Sequence, residues 1–459
     1  MCVELGRWLR AAGYDTAIVE TDQTDPVIFA QAVQEKRHLL TRDHYFKEID
    51  PAEKTAVYLK GEFLDAWAEQ LKSELGVDWL LRPFSRCLDC NSLLEKTLSP
   101  PHNPKVPQSI EECWCCPTCQ HIFWLGSHTQ HMESRLSKWQ DVLIIGLGGD
   151  VMIGRFVNDF LENSSPSYVW GDLLPILHQT DWNLINLETT LTHSEEVRHK
   201  VFNFKATPEK VASLTAGFIQ AVNVANNHIL DYAEEGLLET LRTLDKAHIL
   251  HVGTGKNLKE AKAPLIVKKK GIKIGLLGCT DNEPSWNATS SHPGTFFVEV
   301  GDLEALSEPI LALRKQVDLL IVSIHWGPNM RTGPTHSFRS FAHALIDLGV
   351  DILHGHSAHI FQGVEAYKNK LILYDTGDLV DDYAVDPVLR NDRSFFFVVK
   401  ADKNRVISVT MIPTLIAEFQ VNVSHSKESL RKMKELCNKL HTFPMQEEDT
   451  LILRMEAPS

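Results

Sequence analysis

Five apolar runs in the last two-thirds of the chain each break off into acid, amide or imidazole side chains, and nothing else in the sequence constrains the fold as much. Asp141-Val-Leu-Ile-Ile-Gly-Leu-Gly-Gly-Asp150 ends in a carboxylate, and Asp181-Trp-Asn-Leu-Ile-Asn-Leu-Glu188 ends with Asn186 and Glu188. Ala221-Val-Asn-Val-Ala-Asn-Asn-His228 closes on two amides and a histidine, and Asp318-Leu-Leu-Ile-Val-Ser-Ile-His-Trp326 reaches His325. The fifth, Asp351-Ile-Leu-His-Gly-His-Ser-Ala-His359, packs His354, His356 and His359 into six residues. Such runs read as buried strands that deliver side chains at their carboxyl ends, where open α/β sheets bind ligands. One histidine at a strand end is ordinarily a hydrogen-bonded structural residue. Five coinciding clusters are different, because grouped acids and imidazoles cost desolvation unless something binds them. A mixed oxygen and nitrogen set suits Mn2+, Fe2+ or Zn2+ better than Mg2+ or Ca2+. One or two such divalent ions, roughly 4 Å apart when paired, can clamp a phosphoryl group and activate water.

Ahead of these runs, the first segment alternates short helices and strands. Leu5, Trp8 and Leu9 share a helix face that ends at Gly13, and Pro26 to Lys36 reads as a second helix. His38 to Asp43 and Thr55 to Lys60 read as strands, and Phe63 to Leu75 as another amphipathic helix. That order predicts a small parallel-sheet α/β unit. Residues 85–136 follow as a cysteine block, with six of the nine cysteines between Cys87 and Cys119. Cys87-Leu-Asp-Cys90 and Cys116-Pro-Thr-Cys119 form paired C-x-x-C knuckles that can place four thiolates around a structural Zn2+. The long spacing between them is accounted for by an inserted loop with Pro100, Pro101, Pro104 and Pro107. Cys113 and Cys115 leave open which thiolates bind, and a thiol-rich loop without metal is the alternative. Glu133 to Gln140 reads as a polar linker.

Two resemblances join these segments. Leu5-Gly-Arg-Trp-Leu-Arg-Ala-Ala-Gly-Tyr-Asp15, Leu39-Leu-Thr-Arg-Asp43 and Phe84-Ser-Arg-Cys87 resemble the PIN-like RNase family called the Mut-seven C-terminal domain, over residues 1 to about 135. The resemblance implies a PIN-like α/β/α unit over 1–84 and a zinc ribbon over 85–136. It also implies Asp25 and Asp43 at acidic positions that hold a divalent metal such as Mg2+ for RNA hydrolysis. Members of that family begin with a strand carrying a first acidic residue, and Met1 falls after that point, so the expected set here is two carboxylates. A hard cation wants several oxygen ligands. The plainer reading is that Asp25 caps a helix and Asp43 ends a strand.

Over residues 141–415 the order Asp, Asn-x-Glu, Asn-His, His, Gly-His-x-x-His resembles the calcineurin-like metallophosphatases. It resembles most closely their capsule-synthesis CapA (poly-γ-glutamate biosynthesis) branch. The matching pieces are Gly149-Asp-Val-Met-Ile-Gly-Arg155, Asn186-Leu-Glu188, Ala225-Asn-Asn-His-Ile-Leu-Asp231, Ser323-Ile-His-Trp-Gly327 and His354-Gly-His-Ser-Ala-His-Ile-Phe-Gln-Gly363. That likeness implies a four-layer αββα sandwich, so that the whole chain is an α/β multidomain protein. Asp150, Glu188, Asn227, His325, His356 and His359 would be metal ligands and His228 a general acid. Arg155 and Arg331 are candidates for gripping an anion, with surface ion pairs the alternative. Ordinary metallophosphatases carry Asp-x-His at the first strand, where Asp150-Val-Met152 places a thioether instead.

Asp375, Asp378, Asp381, Asp382 and Asp386 form an acidic run that is expected to be mostly a solvated loop, with Asp378 near the site. The tail, 416–459, carries Leu430, Met433, Leu436, Cys437 and Leu440 at helical spacing, an amphipathic helix expected to pack on the large domain. A net charge of −14, with 15 basic against 20 acidic residues in 1–140, gives no support to RNA as a partner. Neither a membrane-spanning stretch nor a signal-peptide core is found, so the expected setting is cytoplasmic. The function expected is a metal-dependent hydrolase acting on a phosphoester, γ-glutamyl or related anionic small molecule. The alternatives are a non-catalytic assembly factor that binds metal or ligand, and an RNA-processing nuclease acting through the N-terminal domain.

Overall fold

The computed structural model describes residues 2–19, 23–50, 54–97, 113–124 and 126–455. It is a mixed α/β protein of two compact units that meet in sequence between Val142 and Leu143. The Pro-rich insert at 100–107 lies outside the described residues.

In the first unit, strands Leu39–Thr41 and Ala56–Tyr58 pair in parallel. Helices Cys2–Ala11, Asp25–Glu35 and Leu64–Leu75 accompany them. Leu5, Leu9, Trp67, Leu71 and Trp79 are buried. Trp139, on helix Ser127–Gln140, packs edge-on against Trp8 at 5.1 Å and against Trp79 at 4.9 Å. The stretch read as a polar linker is therefore the last turns of a helix seated in this core. A three-stranded antiparallel sheet, Glu95–Thr97, Cys113–Cys115 and Ile122–Phe123, carries the cysteine block.

The second unit is built on two large sheets. One has ten strands and is centred on Leu143–Val151, which pairs in parallel with Trp182–Leu187 and antiparallel with Arg393–Ala401. The other has six, with Ile272–Thr280, Leu319–His325 and Ile352–His356 parallel at its middle. Side chains alternate across each strand. Leu319 and Ile321 join Leu147, Trp182, Leu184 and Phe397 in the core shared by the two sheets. Leu320, Val322 and Ile324 point the other way, onto Ile310, Leu313, Phe341 and Leu345 of the helices Glu304–Arg314 and His336–Asp347. Ile185, Leu187 and Val222 likewise face Leu237, Leu241 and Leu244 of helix Ala233–Lys246. The result is helix, sheet, sheet, helix: four layers, with both faces of each central strand buried, which is why those strands read as continuous apolar runs.

The C-terminal segment contributes more than a helix. Helix Lys427–Lys439 puts Leu430, Met433 and Cys437 into the shared core. Strand Thr450–Arg454 extends the larger sheet beside the long strand Val406–Ala417, which runs through residue 415. No helix among the described residues is long and apolar enough to cross a membrane.

Phe397, fully buried between the sheets, tests this packing. Phe397→Ala is expected to cost about 3–5 kcal/mol, the usual penalty for emptying a large core site. It should appear as a lower urea midpoint with an unchanged slope. A loss under about 1 kcal/mol would mean that the two sheets do not share a close-packed core there.

Candidate metal centre

Parallel register brings the polar strand ends to one place. Asp150 stands opposite both Asn186 and Asp378, and His325 opposite His356. Gly149 permits this, because a Cβ there would lie 1.7 Å from the Gly377 carbonyl oxygen, the acceptor for the Asp150 amide at 2.9 Å. The turn after Ile352–His356 is strained. Ser357 and His359 hold φ of 122° and 59°, conformations that cost on the order of 1–3 kcal/mol each and persist where surroundings enforce them. The αL backbone of His359 places its Nδ1 2.9 Å from Asp378 Oδ1 and 3.6 Å from Asp150 Oδ2.

Two ligand groups converge on Asp150. Asp150, His325 and His356 form one, and Asp150, Glu188, His359 and Asp378 the other, each with its ligand atoms within 4.8 Å of one another. His325 Nδ1 and His356 Nδ1 are 3.0 Å apart and lie 3.8 and 3.6 Å from Asp150 Oδ1. His325 Nε2 is 2.9 Å from Asn227 Oδ1 and 3.9 Å from Glu188 Oε1. Asn186 donates to Asp150 Oδ1 at 2.8 Å. Ser323 Oγ sits 3.1 Å from His356 Nε2 and 3.0 Å from His354 Nδ1. His354 turns away from the ligand groups, its Nε2 donating to the Gly148 carbonyl at 2.9 Å, so that it steadies the strand carrying Asp150.

These residues fit divalent cations. Asp150 Oδ2, Glu188 Oε1 and Asp378 Oδ2 are buried without a hydrogen-bond partner, an arrangement that native proteins avoid unless something else satisfies the oxygens. Burial lifts the Asp150 carboxyl to about 6, and Glu188 and Asp378 well above the usual carboxylate range. The same burial holds His325 and His356 well below the ordinary imidazole value, in the neutral, ligating form. Burial also opposes a charge on His359, but Glu188 and Asp150 outweigh it and raise this one imidazole. Carboxylates set against neutral imidazoles are the donor mix of a transition-metal or zinc site.

His228 lies beside the centre, its Nε2 3.9 Å from Glu188 Oε1. Its Nδ1 is 2.6 Å from Asp231 Oδ2, which the His-Ile-Leu-Asp spacing could have signalled, and its ring stacks on Phe204 at 3.8 Å. Burial pushes its pKa down to about 4. Lys200, in no motif of the sequence, donates to the Asn227 carbonyl and to Asp231 Oδ1 and lies over Trp286. Tyr383 donates to Glu188 Oε2 at 3.4 Å.

Of the two arginines, Arg155 is paired with Asp382 at 3.4 Å, and Arg331 lies 4.0 Å over the Phe338 ring, within electrostatic reach of Asp281 and Asp375. Met152 is buried, and its sulfur accepts from the Gly154 amide rather than joining the ligands. The acidic run departs from expectation. Asp378 stands at the centre as expected, but Asp375 and Asp381 are buried rather than solvated, because strand Asp378–Val380 pairs alongside Leu143–Val151 and draws them inward.

In the first unit, Cys87, Cys90, Cys116 and Cys119 converge, with sulfur pairs at 3.5 and 3.3 Å. A tetrahedral zinc with ligands at about 2.3 Å has edges of about 3.8 Å. Cys113 and Cys115 stand in the neighbouring strand, outside the group. Asp25 and Asp43 border one cavity of about 770 Å³ together with Asp15. Neither belongs to a trio of metal-ligating atoms among the described residues. Asp43 Oδ1 instead accepts from the Tyr45 amide at 2.9 Å at the start of helix Tyr45–Ile49, and Asp25 opens helix Asp25–Glu35.

The layered α/β fold holds a buried acid–imidazole centre whose side chains could take metal ions, and comparison with known proteins gives its relatives. Residues 144–383 match the family described as bacterial capsule synthesis protein PGA_cap, and residues 1–136 match the Mut7-C RNAse domain. The chain belongs to the bacterial capsule synthesis protein family and carries a Mut7-C RNAse domain at its N-terminal end. A probable polyglutamine synthesis accessory protein of Mycobacterium tuberculosis is 31% identical over 331 residues, 61% of this chain and 87% of that protein. The PGA biosynthesis protein CapA of Bacillus subtilis is 30% identical over 246 residues, 53% of this chain and 64% of that protein. Among solved structures, a sulfate thiohydrolase SoxB from Thermus thermophilus aligns with a TM-score of 0.38 at 10% identity, over 66% of this chain and 61% of that one.

Proposed function

We propose that the 143–456 unit is a CapA-type metal-dependent hydrolase of phosphoesters or related anionic small molecules. The observation that carries this is Asp150, shared by two convergent ligand groups in which one oxygen each of Asp150, Glu188 and Asp378 is buried without a hydrogen-bond partner. Asp150, His325 and His356, with Asn227 alongside, would hold one ion of Mn2+, Fe2+ or Zn2+. Asp150, Glu188, His359 and Asp378 would hold the second. When bound, such a pair supplies a clamp for an anionic oxygen and acidifies water. Asp231 fixes the Nδ1 side of His228, leaving Nε2 to hold or pass a proton at a leaving oxygen. Lys200 and Arg155 bring positive charge beside a centre of carboxylates and imidazoles. The substrate we propose is γ-glutamyl or phosphorylated, and the relatives' names, a polyglutamine synthesis accessory protein and a PGA biosynthesis protein, support a setting in polymer synthesis alone. Cys87, Cys90, Cys116 and Cys119 form a closed set, which suits a structural zinc with no open position for chemistry.

Metal analysis of wild type and a His325→Ala/His356→Ala variant, paired with phosphoesterase assays in Mn2+, Zn2+ and Mg2+, tests this reading. The expected result is about one zinc in both proteins, with one or two further ions and activity in the wild type alone. A variant that keeps full activity sinks the assignment. A wild type with only the cysteine-bound zinc and no activity makes the unit a binding or assembly module. RNA cleavage by the N-terminal domain is the second reading, supported by the Mut7-C RNAse match and by the cavity that Asp25 and Asp43 line. Loss of Mg2+-dependent RNA cleavage in Asp43→Asn would bear it out.

A further inference from the structure

The ground around the metal centre is unusual for a site that reads only a small anion. Phe156 and Phe202 are each 61% exposed and Val201 is 89% exposed. Large apolar side chains left open beside a polar site mark a surface that something covers. One cation ties them together. The Arg155 guanidinium lies 5.8 Å from the Phe156 ring, 5.9 Å from Phe202 and 5.5 Å from Phe204.

This group is built into the centre rather than scattered over the surface. Phe204 stacks on His228 at 3.8 Å and packs near Tyr383 at 5.5 Å, and Tyr383 reaches Glu188. One ring therefore separates Arg155 from the imidazole beside the ligands. Arg155 itself is held in the left-handed region at φ 51°, a conformation that a non-glycine residue keeps only when its surroundings fix it. Asp382 does the fixing, with Oδ2 accepting from the Phe156 amide at 3.0 Å and Oδ1 3.4 Å from the guanidinium. Beyond Phe204, Asp231 gathers residues 198–204. Its side chain takes Lys200 and the Phe204 amide, and its carbonyl takes the Arg198 amide. The loop that presents Val201 and Phe202 is thus anchored on the same carboxylate that orients His228.

We infer that this surface of Arg155, Phe156 and Phe202 recognises an anion attached to a flat aromatic group, a deepening that rests on the hydrolase reading above. The anionic end enters toward the ligand groups under Lys200. The planar end lies on Phe156 and Phe202, with the Arg155 guanidinium as a stacking and charge partner. Charge complementarity selects the anion, and the open rings select a planar neighbour over an alkyl one.

Calorimetric titration of the full chain, loaded with Mn2+, with 1-naphthylphosphonate and with propylphosphonate tests this without turnover. Wild type is expected to bind the aryl compound about tenfold more tightly, the size of an aromatic contact plus its buried area. A Phe156→Ser/Phe202→Ser variant, with both changes at exposed positions and folding checked by its melting curve, should bind the two alike. Equal affinities in wild type, a preference that survives in the variant, or no binding of either compound overturns the inference. Hydrolysis of 1-naphthyl phosphate and propyl phosphate separates the two readings. If neither ester is cleaved while the binding preference holds, the hydrolase reading fails and the recognition surface stands.

Discussion

Asp150→Asn is expected to strip the 143–456 unit of bound divalent metal while a zinc at the four cysteines remains. The two oxygens of Asp150 serve different groups: Oδ1 lies near His325 and His356, and Oδ2 near His359. An amide of the same shape keeps the packing, but it removes the only charge common to both. Changes in residues that merely support a ligand already cost 10–100-fold in metal affinity, so loss of a shared ligand should cost at least about 100-fold. Stability gives a second readout. Mn2+ at about 100 times its dissociation constant stabilises a folded protein by about 2.7 kcal/mol, and that gain should vanish in the variant. Without metal, the variant should be no less stable than wild type at pH 8. There the Asp150 carboxyl, lifted to about 6 by burial, is a buried charge with Glu188 and Asp378 nearby. Metal content by mass spectrometry and melting curves with and without Mn2+ check both points. Wild-type metal content in the variant, or an undiminished Mn2+-dependent rise in melting temperature, would remove Asp150 from the centre.

What made this centre legible was strand periodicity. An apolar run that stops at Asp150, Glu188, His325 or His356 announces both a strand buried on two faces and the end at which its polar residues emerge. Register then does the rest, and no loop conformation had to be known. The residues that were missed sit where that logic has no purchase. Asp375 and Asp381 belong to a run whose composition reads as solvated, and only the pairing of Asp378–Val380 beside Leu143–Val151 draws them inward. Lys200, Phe202 and Phe204 lie on an irregular stretch with no period at all, and reach the centre through the fold of the Asp231 turn. Strand Thr450–Arg454 was hidden for another reason: it lies toward the side of the sheet, where alternation with Thr450 and Arg454 dilutes the apolar signal. In the first unit the parallel pair was legible, but its acids were not decided by sequence. Asp25 and Asp43 occupy helix starts in the structure, the role that short acidic side chains take wherever a helix begins.

Cys116→Ser should abolish the order of the cysteine segment and leave the larger unit untouched. The segment has little sheet of its own, in strands three, three and two residues long, and is otherwise held by hydrogen bonds such as those from Arg10 to the Leu88 and Asp89 carbonyls. A few short strands without a broad apolar face do not hold in water. Four thiolates around zinc supply on the order of 10–16 kcal/mol of apparent binding energy to comparable small folds, so one missing thiolate removes most of what keeps the strands together. The zinc count should fall by about one, and trypsin should cut rapidly after Lys96, in the strand Glu95–Thr97. The two remaining thiols give the control. Cys113 is buried in its strand, outside the group that Cys87, Cys90, Cys116 and Cys119 form. Cys113→Ser should therefore keep the zinc and the resistance to trypsin. If instead Cys116→Ser keeps its zinc and Cys113→Ser loses it, the strand cysteine takes the place of Cys116 in the ligand set.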